Sequence, residues 1–157
     1  MTQKNNHPAA AADFRLTVTR IFQAPCAQVY QAWTDPAQLS QWLNPKDTAG
    51  RSVTADLKPG GHYRITMDCG KGDHVAHGVY LEIIPNERLK FTWHWDHYPM
   101  PDSLITLTFE DLGTATRLTL EHTGLPDQED VTEHSQGWNM LVEKLAGMIE
   151  QNQFRTA

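Results

Sequence analysis

The sequence predicts an α+β fold: an antiparallel sheet of about seven strands covered by one long C-terminal helix, with two short helices after the first strand. Three observations predict it. About 70 residues, from Ser52 to His122, alternate apolar and polar side chains between tight turn signals, as half-buried strands do. The chain then closes on GWNMLVEKLAGMI, whose Trp138, Leu141, Val142, Leu145, Met148 and Ile149 fall on one helical face. Two proline-started segments, APCAQVYQAW and DPAQLSQWL, separate the first strand from the rest.

Each element follows from local pattern. FRLTVTRIF, Phe14 to Phe22, alternates and is rich in β-formers, with Phe14, Leu16, Val18 and Phe22 on one face and Arg20 as its exception. Pro25 suits the first turn of a helix bearing Val29, Tyr30 and Trp33. Asp35 caps a second helix with Pro36 at its first position, running to about Leu43, where Asn44-Pro45 ends it. Lys46 to Gly50 reads as loop and Ser52 to Leu57 as a strand. After the Pro59-Gly60-Gly61 turn, HYRITMDC places Tyr63, Ile65, Met67 and Cys69 on one face. VAHGVYLEII is read with Val75, His77, Val79, Leu81 and Ile83 inward. RLKFTWHW is read as one strand with Leu89, Phe91, Trp93 and Trp95 inward. Ile105, Leu107 and Phe109, then Leu118 and Leu120, continue that face. Asp127 caps the closing helix, roughly Asp127 to Gln153. Tight turns make consecutive strands an antiparallel meander, and an exposed edge such as Phe14 to Phe22 offers a homodimer surface.

At 157 residues this is one domain, read as 13–154, behind a disordered tail over 1–12. The N-terminus has no apolar core of a secretory signal and no apolar run spans a membrane, so a cytoplasmic location is expected. A net charge of −6 without basic clusters excludes nucleic acid and anionic membranes as partners. Cys26 and Cys69 are read as two buried thiols, a disulfide being the alternative.

The Pro25, Val29, Trp33, Thr34-Asp35-Pro36, Leu39, Trp42 segment, then LKPGGHYR, HGVYLEIIPNERLKFTWHW and HTGLP with HSQGWNMLVEKL, resemble one family over about residues 14–153. It is the Aha1-type branch of the START/Bet v 1-like (SRPBCC) superfamily, similar to the C-terminal domain of the activator of the heat-shock-protein-90 ATPase. The resemblance implies a helix-grip fold with an elongated cavity between the curved sheet and the long helix. It implies a hydrophobic small-molecule ligand, since members include lipid carriers, hormone binders and cyclases. A chaperone partner is put in question, because the co-chaperone grips its chaperone through a further N-terminal domain.

The residues expected to line that cavity are Trp33, Tyr63, Met67, His77, Val79, Leu81, Phe91, Trp93, Trp95, Leu107, Phe109, Trp138, Leu141 and Leu145. Large aromatics mixed with methionine suit an adaptable apolar pocket, and equally a filled core. A dry cavity of about 300 Å³ would cost about 7 kcal/mol, so a small, hydrated or occupied one is expected.

Eight histidines raise the question of a metal, but His74/His77 and His94/His97 are three apart on strands and so face opposite ways unless a turn intervenes; no metal and no cofactor are expected. Acid–base chemistry is the enzymatic alternative, a cyclase, dehydratase or hydrolase using His77, His122 or His134 near the apolar face. The resemblance adds Tyr63, Arg64, Asp68, Tyr80 and Glu82 as companions. Against this stands the plainer reading of hydrogen-bonded core or rim histidines. A chaperone-linked interaction module is the third reading.

Overall fold

A computed structural model describes residues 14–44, 52–68 and 72–151 of the chain. The tail 1–12, the loop Lys46 to Gly50 and Cys69 lie outside the described residues. In chain order the elements are β1 (Leu16–Phe22), α1 (Cys26–Thr34), α2 (Pro36–Trp42), β2 (Ser52–Ala55), β3 (His62–Asp68), β4 (Asp73–Ile84), β5 (Arg88–Thr92), β6 (His94–Trp95), β7 (Leu104–Asp111), β8 (Thr116–Thr123) and α3 (Gln128–Glu150). The strands form one antiparallel sheet in the order β1-β8-β7-β5-β4-β3-β2, with β6 also on β4. The meander runs from β2 to β8, and β1 pairs with β8 at the far edge, Val18 opposite Leu120. This is the helix-grip arrangement. Among the described residues no helix is long and apolar enough to cross a membrane.

The helix starts follow from their caps. Pro25 sits just ahead of α1, its carbonyl accepting from Gln28 and Val29. The Asp35 carboxylate accepts from the Ala37 N–H at 3.0 Å, and Asp127 from Asp130 at 2.9 Å, each satisfying a donor the helix itself cannot. The stripe Trp138, Leu141, Val142, Leu145, Ala146 and Ile149 of α3 is buried against the sheet and the short helices. Asn44, fully buried, ties the end of α2 to two elements: its side chain accepts from Asp68 N–H, and its carbonyl from Lys144 Nζ at 3.0 Å.

One strand face differs from the expectation. His77, Val79 and Leu81 point outward, and the inward residues of β4 are Ala76, Gly78 and Tyr80. Register decides this, because directly opposed residues share a face. Tyr80 lies opposite Phe91 and Ala76 opposite Trp95, so the aromatic face of β5 and β6 brings the even positions of β4 inside. A bulge between Tyr80 and Glu82 then inserts one residue, Leu81, 48% exposed, and turns Ile83 back toward the core opposite Leu89.

The expected single strand Arg88 to Trp95 is also interrupted, at Trp93. There Thr92 replaces the ladder: its hydroxyl accepts from Val79 N–H and its carbonyl from the Tyr63 hydroxyl. Gly78 faces this point, and a Cβ on it would lie 2.1 Å from the Thr92 carbonyl oxygen. Only glycine allows that approach.

Cys26 is a buried free thiol donating to the Asn86 carbonyl at 3.2 Å. Burial pushes its pKa up, the Asp111 charge adds to this, and a hydrogen bond with Thr116 opposes it, so the helix start does not make it a thiolate.

Candidate functional site

All five tryptophans join in one chain of ring contacts through the interior, Trp42 to Trp33 at 4.6 Å, Trp33 to Trp138 at 6.1 Å, Trp138 to Trp93 at 5.0 Å and Trp93 to Trp95 at 5.5 Å. They come from α1, α2, α3 and the β5–β6 segment, so they cross-brace helix to sheet. Behind them the space between sheet and helix is nearly closed. Among the described residues a void of about 20 Å³ lies there, walled by Trp33, Leu39, Leu43, Tyr63, Ile65, Tyr80, Phe91 and Trp93. Left dry it would cost ~0.5 kcal/mol, far below a ligand-sized cavity. Leu107, Phe109 and Leu145 are simply packed in the core.

The usable space lies at one end of α3. A half-open cleft of about 510 Å³ sits between the first turns of α3 and the β3, β4 and β6 end of the sheet. Its floor is Met67, Trp93, Trp95, Trp138 and Leu141; its rim is His74, His97, Tyr98, Glu129, Asp130, Glu133, His134, Gly137 and Met140. Of the expected lining residues the fold thus brings Met67, Trp93, Trp95, Trp138 and Leu141 to the cleft. Trp33, Tyr63 and Phe91 face the small void, and His77, Val79 and Leu81 lie on the other side of the sheet.

His134 is the one expected histidine on the cleft wall. Its Nε2 accepts from the Trp95 indole N–H at 3.1 Å, and its Nδ1 lies 2.9 Å from the Asp130 carbonyl. An indole nitrogen can only donate, so the His134 proton sits on Nδ1 and is given to Asp130. Both nitrogens are occupied. His122 repeats the device one layer deeper. The Trp138 indole N–H donates to its Nδ1 at 3.1 Å, which places its proton on Nε2, 2.6 Å from the Ser103 hydroxyl.

That second contact has the look of a Ser–His dyad, but the proton is on the wrong side. A base must present a lone pair to the serine, and His122 presents its N–H. Burial, and secondarily His134, depress its pKa to about 3. His122 is fully buried and acts as a neutral strut joining β8, α3 and Ser103.

His77 is occupied elsewhere. On the outer face Asp96 accepts from Arg64 at 2.6 Å and lies 3.0 Å from His77 Nε2, tying the loop after β6 to β3 and β4. Of the companions implied by resemblance, Tyr63 and Tyr80 are buried among the interior aromatics, with Tyr80 pushed up to about 12 chiefly by burial. Arg64, Asp68 and Glu82 do not line the cleft.

Pattern reading missed the rim. Asp130 and Gly137 stand three or four residues from the expected His134 and Leu141 and extend the apolar stripe toward the start of α3, a signal that was present but masked by polar side chains. His74 on β4 and His97 in the turn after β6 stack, ring centroids 4.2 Å apart, which no spacing within one segment can show. Burial pushes the His97 pKa down, His74 adds to this and Asp96 opposes it. Tyr98 donates to the Asp130 carboxylate at 2.7 Å, a bond that pushes its pKa up to about 12. Among the described residues no three His, Cys, Asp or Glu side chains are placed to hold a metal ion.

Comparison with known proteins agrees with this architecture. The model of the family described as Activator of Hsp90 ATPase homolog 1-like protein matches residues 23–150. Protein CV1439 from Chromobacterium violaceum is similar in structure, 29% identical with a TM-score of 0.75, over 87% of this chain and 96% of that one. CalU16 from Micromonospora echinospora is 27% identical, TM-score 0.69, over 86% and 75% of the two chains. DynU16, a protein in the dynemicin biosynthetic locus, is 26% identical, TM-score 0.74, over 90% of this chain and 49% of its own length. No curated protein matches the sequence.

Proposed function

We propose a ligand-binding role for this chain, which belongs to the Activator of Hsp90 ATPase homolog 1-like family: it holds an apolar or aromatic small molecule in the cleft at the start of α3. The observation that carries this is the half-open cleft of about 510 Å³ walled by Trp93, Trp95 and Trp138, beside an interior void of about 20 Å³. The volume is in the ordinary range for small-molecule sites. Tyr98 is held by Asp130, and Trp95 by His134, so two walls are fixed before anything binds. Binding is favoured over proton transfer because both ring nitrogens of His134 and of His122 are already engaged. The place of DynU16 in a biosynthetic locus fits a protein that handles a small molecule.

Gly137 supplies the test. It lines the cleft, and a Cβ built on it meets no atom within 4 Å, so a larger side chain enters the open space without strain. Gly147 is equally open but lies away from the cleft. The neutral probe 1-naphthylmethanol should bind the natural protein and Gly147→Leu alike, and Gly137→Leu about tenfold more weakly or not at all, which is ~1.4 kcal/mol or more. Quenching of the wall tryptophans and calorimetry both read this. Equal binding to Gly137→Leu, or none to the natural protein, overturns the proposal.

A further inference from the structure

Among the described residues the cleft carries charge of one sign. Glu129, Asp130 and Glu133 line it, and no described Lys or Arg does. On the sheet surface three carboxylates are matched, Asp96 with Arg64 at 2.6 Å, Glu110 with Arg117 at 2.7 Å and Glu82 with Arg88 at 2.9 Å. Among the described residues Glu129 and Glu133 have no such partner, and both stand on the rim above an apolar floor. The positive end of the helix accounts for acids in the first turn, Glu129 and Asp130. It does not account for Glu133, which lies beyond that turn.

A second, independent feature selects the same ligand chemistry. Trp93, Trp95, Tyr98 and Trp138 place four aromatic rings on the wall, and ring faces attract cations within about 6 Å. The Tyr98 ring is anchored through its hydroxyl to Asp130, which is itself buried, so this ring and this charge hold fixed positions. His134 turns its Nε2 lone pair to the Trp95 indole N–H.

We infer that the cleft takes an organic cation, an amine or quaternary ammonium compound with an aromatic or alkyl body. The inference rests on the binding reading above and narrows it. The apolar body lies on the tryptophans, and the cationic nitrogen faces Glu129 and Glu133. A carboxylate on the ligand would be repelled by the same groups.

Three probes sharing one aromatic body test this by calorimetry at about pH 8, where imidazoles are neutral: (1-naphthylmethyl)trimethylammonium, 1-naphthylmethanol and 1-naphthylacetate. The ammonium should bind at least about tenfold more tightly than the alcohol, and the acetate most weakly. The preference should shrink at about 1 M salt, where screening is nearly complete over ~3 Å. It should also shrink in the double variant Glu129→Gln, Glu133→Gln, read as the ratio of ammonium to alcohol affinity; both positions are exposed, so the fold is retained. If the alcohol binds as tightly as the ammonium, or the double variant keeps the full preference, the cation inference is wrong while the binding reading stands. If none of the three binds, the binding reading falls and the inference with it.

Discussion

Acid should weaken this fold through His122, and the size of the effect follows from its surroundings. The ring is fully buried, its Nδ1 accepts from Trp138, and a second proton there would face an indole N–H. Its pKa is therefore about 3 in the folded chain against an ordinary 6.5. Between those values the unfolded chain binds a proton that the folded chain refuses, so stability falls as pH falls. At ~1.4 kcal/mol per unit, the loss reaches ~2 kcal/mol near about pH 5 and ~5 kcal/mol below about pH 3. Against a total of ~5–15 kcal/mol for a domain, the first figure is already readable in urea midpoints taken at about pH 7.5, 6 and 5. His122→Gln removes the group; its stability should start ~1–3 kcal/mol lower, because Trp138 and Ser103 lose partners, but fall less steeply over the same range. If that variant does not fold, proton NMR of the natural protein decides, since the His122 ring signal should not move down to about pH 4.5. A ring that titrates near its ordinary pKa would refute the tautomer assignment and the strut it implies.

The remaining predictions concern backbone and caps. Gly137→Ala and Gly147→Ala should each stabilise α3 by ~0.5–1 kcal/mol, because both Cβ sites are open, and only the first should weaken probe binding; destabilisation by either contradicts the open space described. Gly78→Ala should cost ~3 kcal/mol or more, since its Cβ would press on the Thr92 carbonyl at 2.1 Å, and a loss under ~1 kcal/mol by urea denaturation would show that β4 can move away. Asp127→Ala should cost ~1 kcal/mol by removing the cap on Asp130 N–H, read from the thermal midpoint, and an unchanged midpoint would remove the cap from the account of where α3 begins.

Most of the architecture was readable because local signals agreed. Asp35-Pro36 and Asp127 mark helix starts with their own side chains, and the stripe from Trp138 to Ile149 has one period throughout. β4 was misread because both of its faces carry plausible core residues. Val75, Val79 and Leu81 outweigh Ala76, Gly78 and Tyr80 in bulk, so alternation alone favours the wrong set. Only pairing with Phe91 and Trp95 shows the right one, and pairing is not a property of one strand. The bulge at Leu81 compounds this, since Ile83 does face inward and makes the odd series look continuous.

The site moved for a related reason. Residue size predicts that aromatics will be inside but not whether they leave room. Trp33, Trp42, Trp93 and Trp138 meet edge to face or tilted, and that interlocking reduces the expected cavity to about 20 Å³. The filling does not extend past Trp95 and His134. There α3 presents Gly137, with no side chain, beside Glu133 and Met140, which is 47% exposed. A glycine inside a helix is ordinarily a cost of ~1 kcal/mol over alanine. Here it removes the side chain that would otherwise occupy the cleft, next to the paired indole–imidazole bonds that fix the floor. The same stripe that packs the core over its C-terminal turns thus opens at its N-terminal end, and the change from one role to the other occurs at Gly137-Trp138.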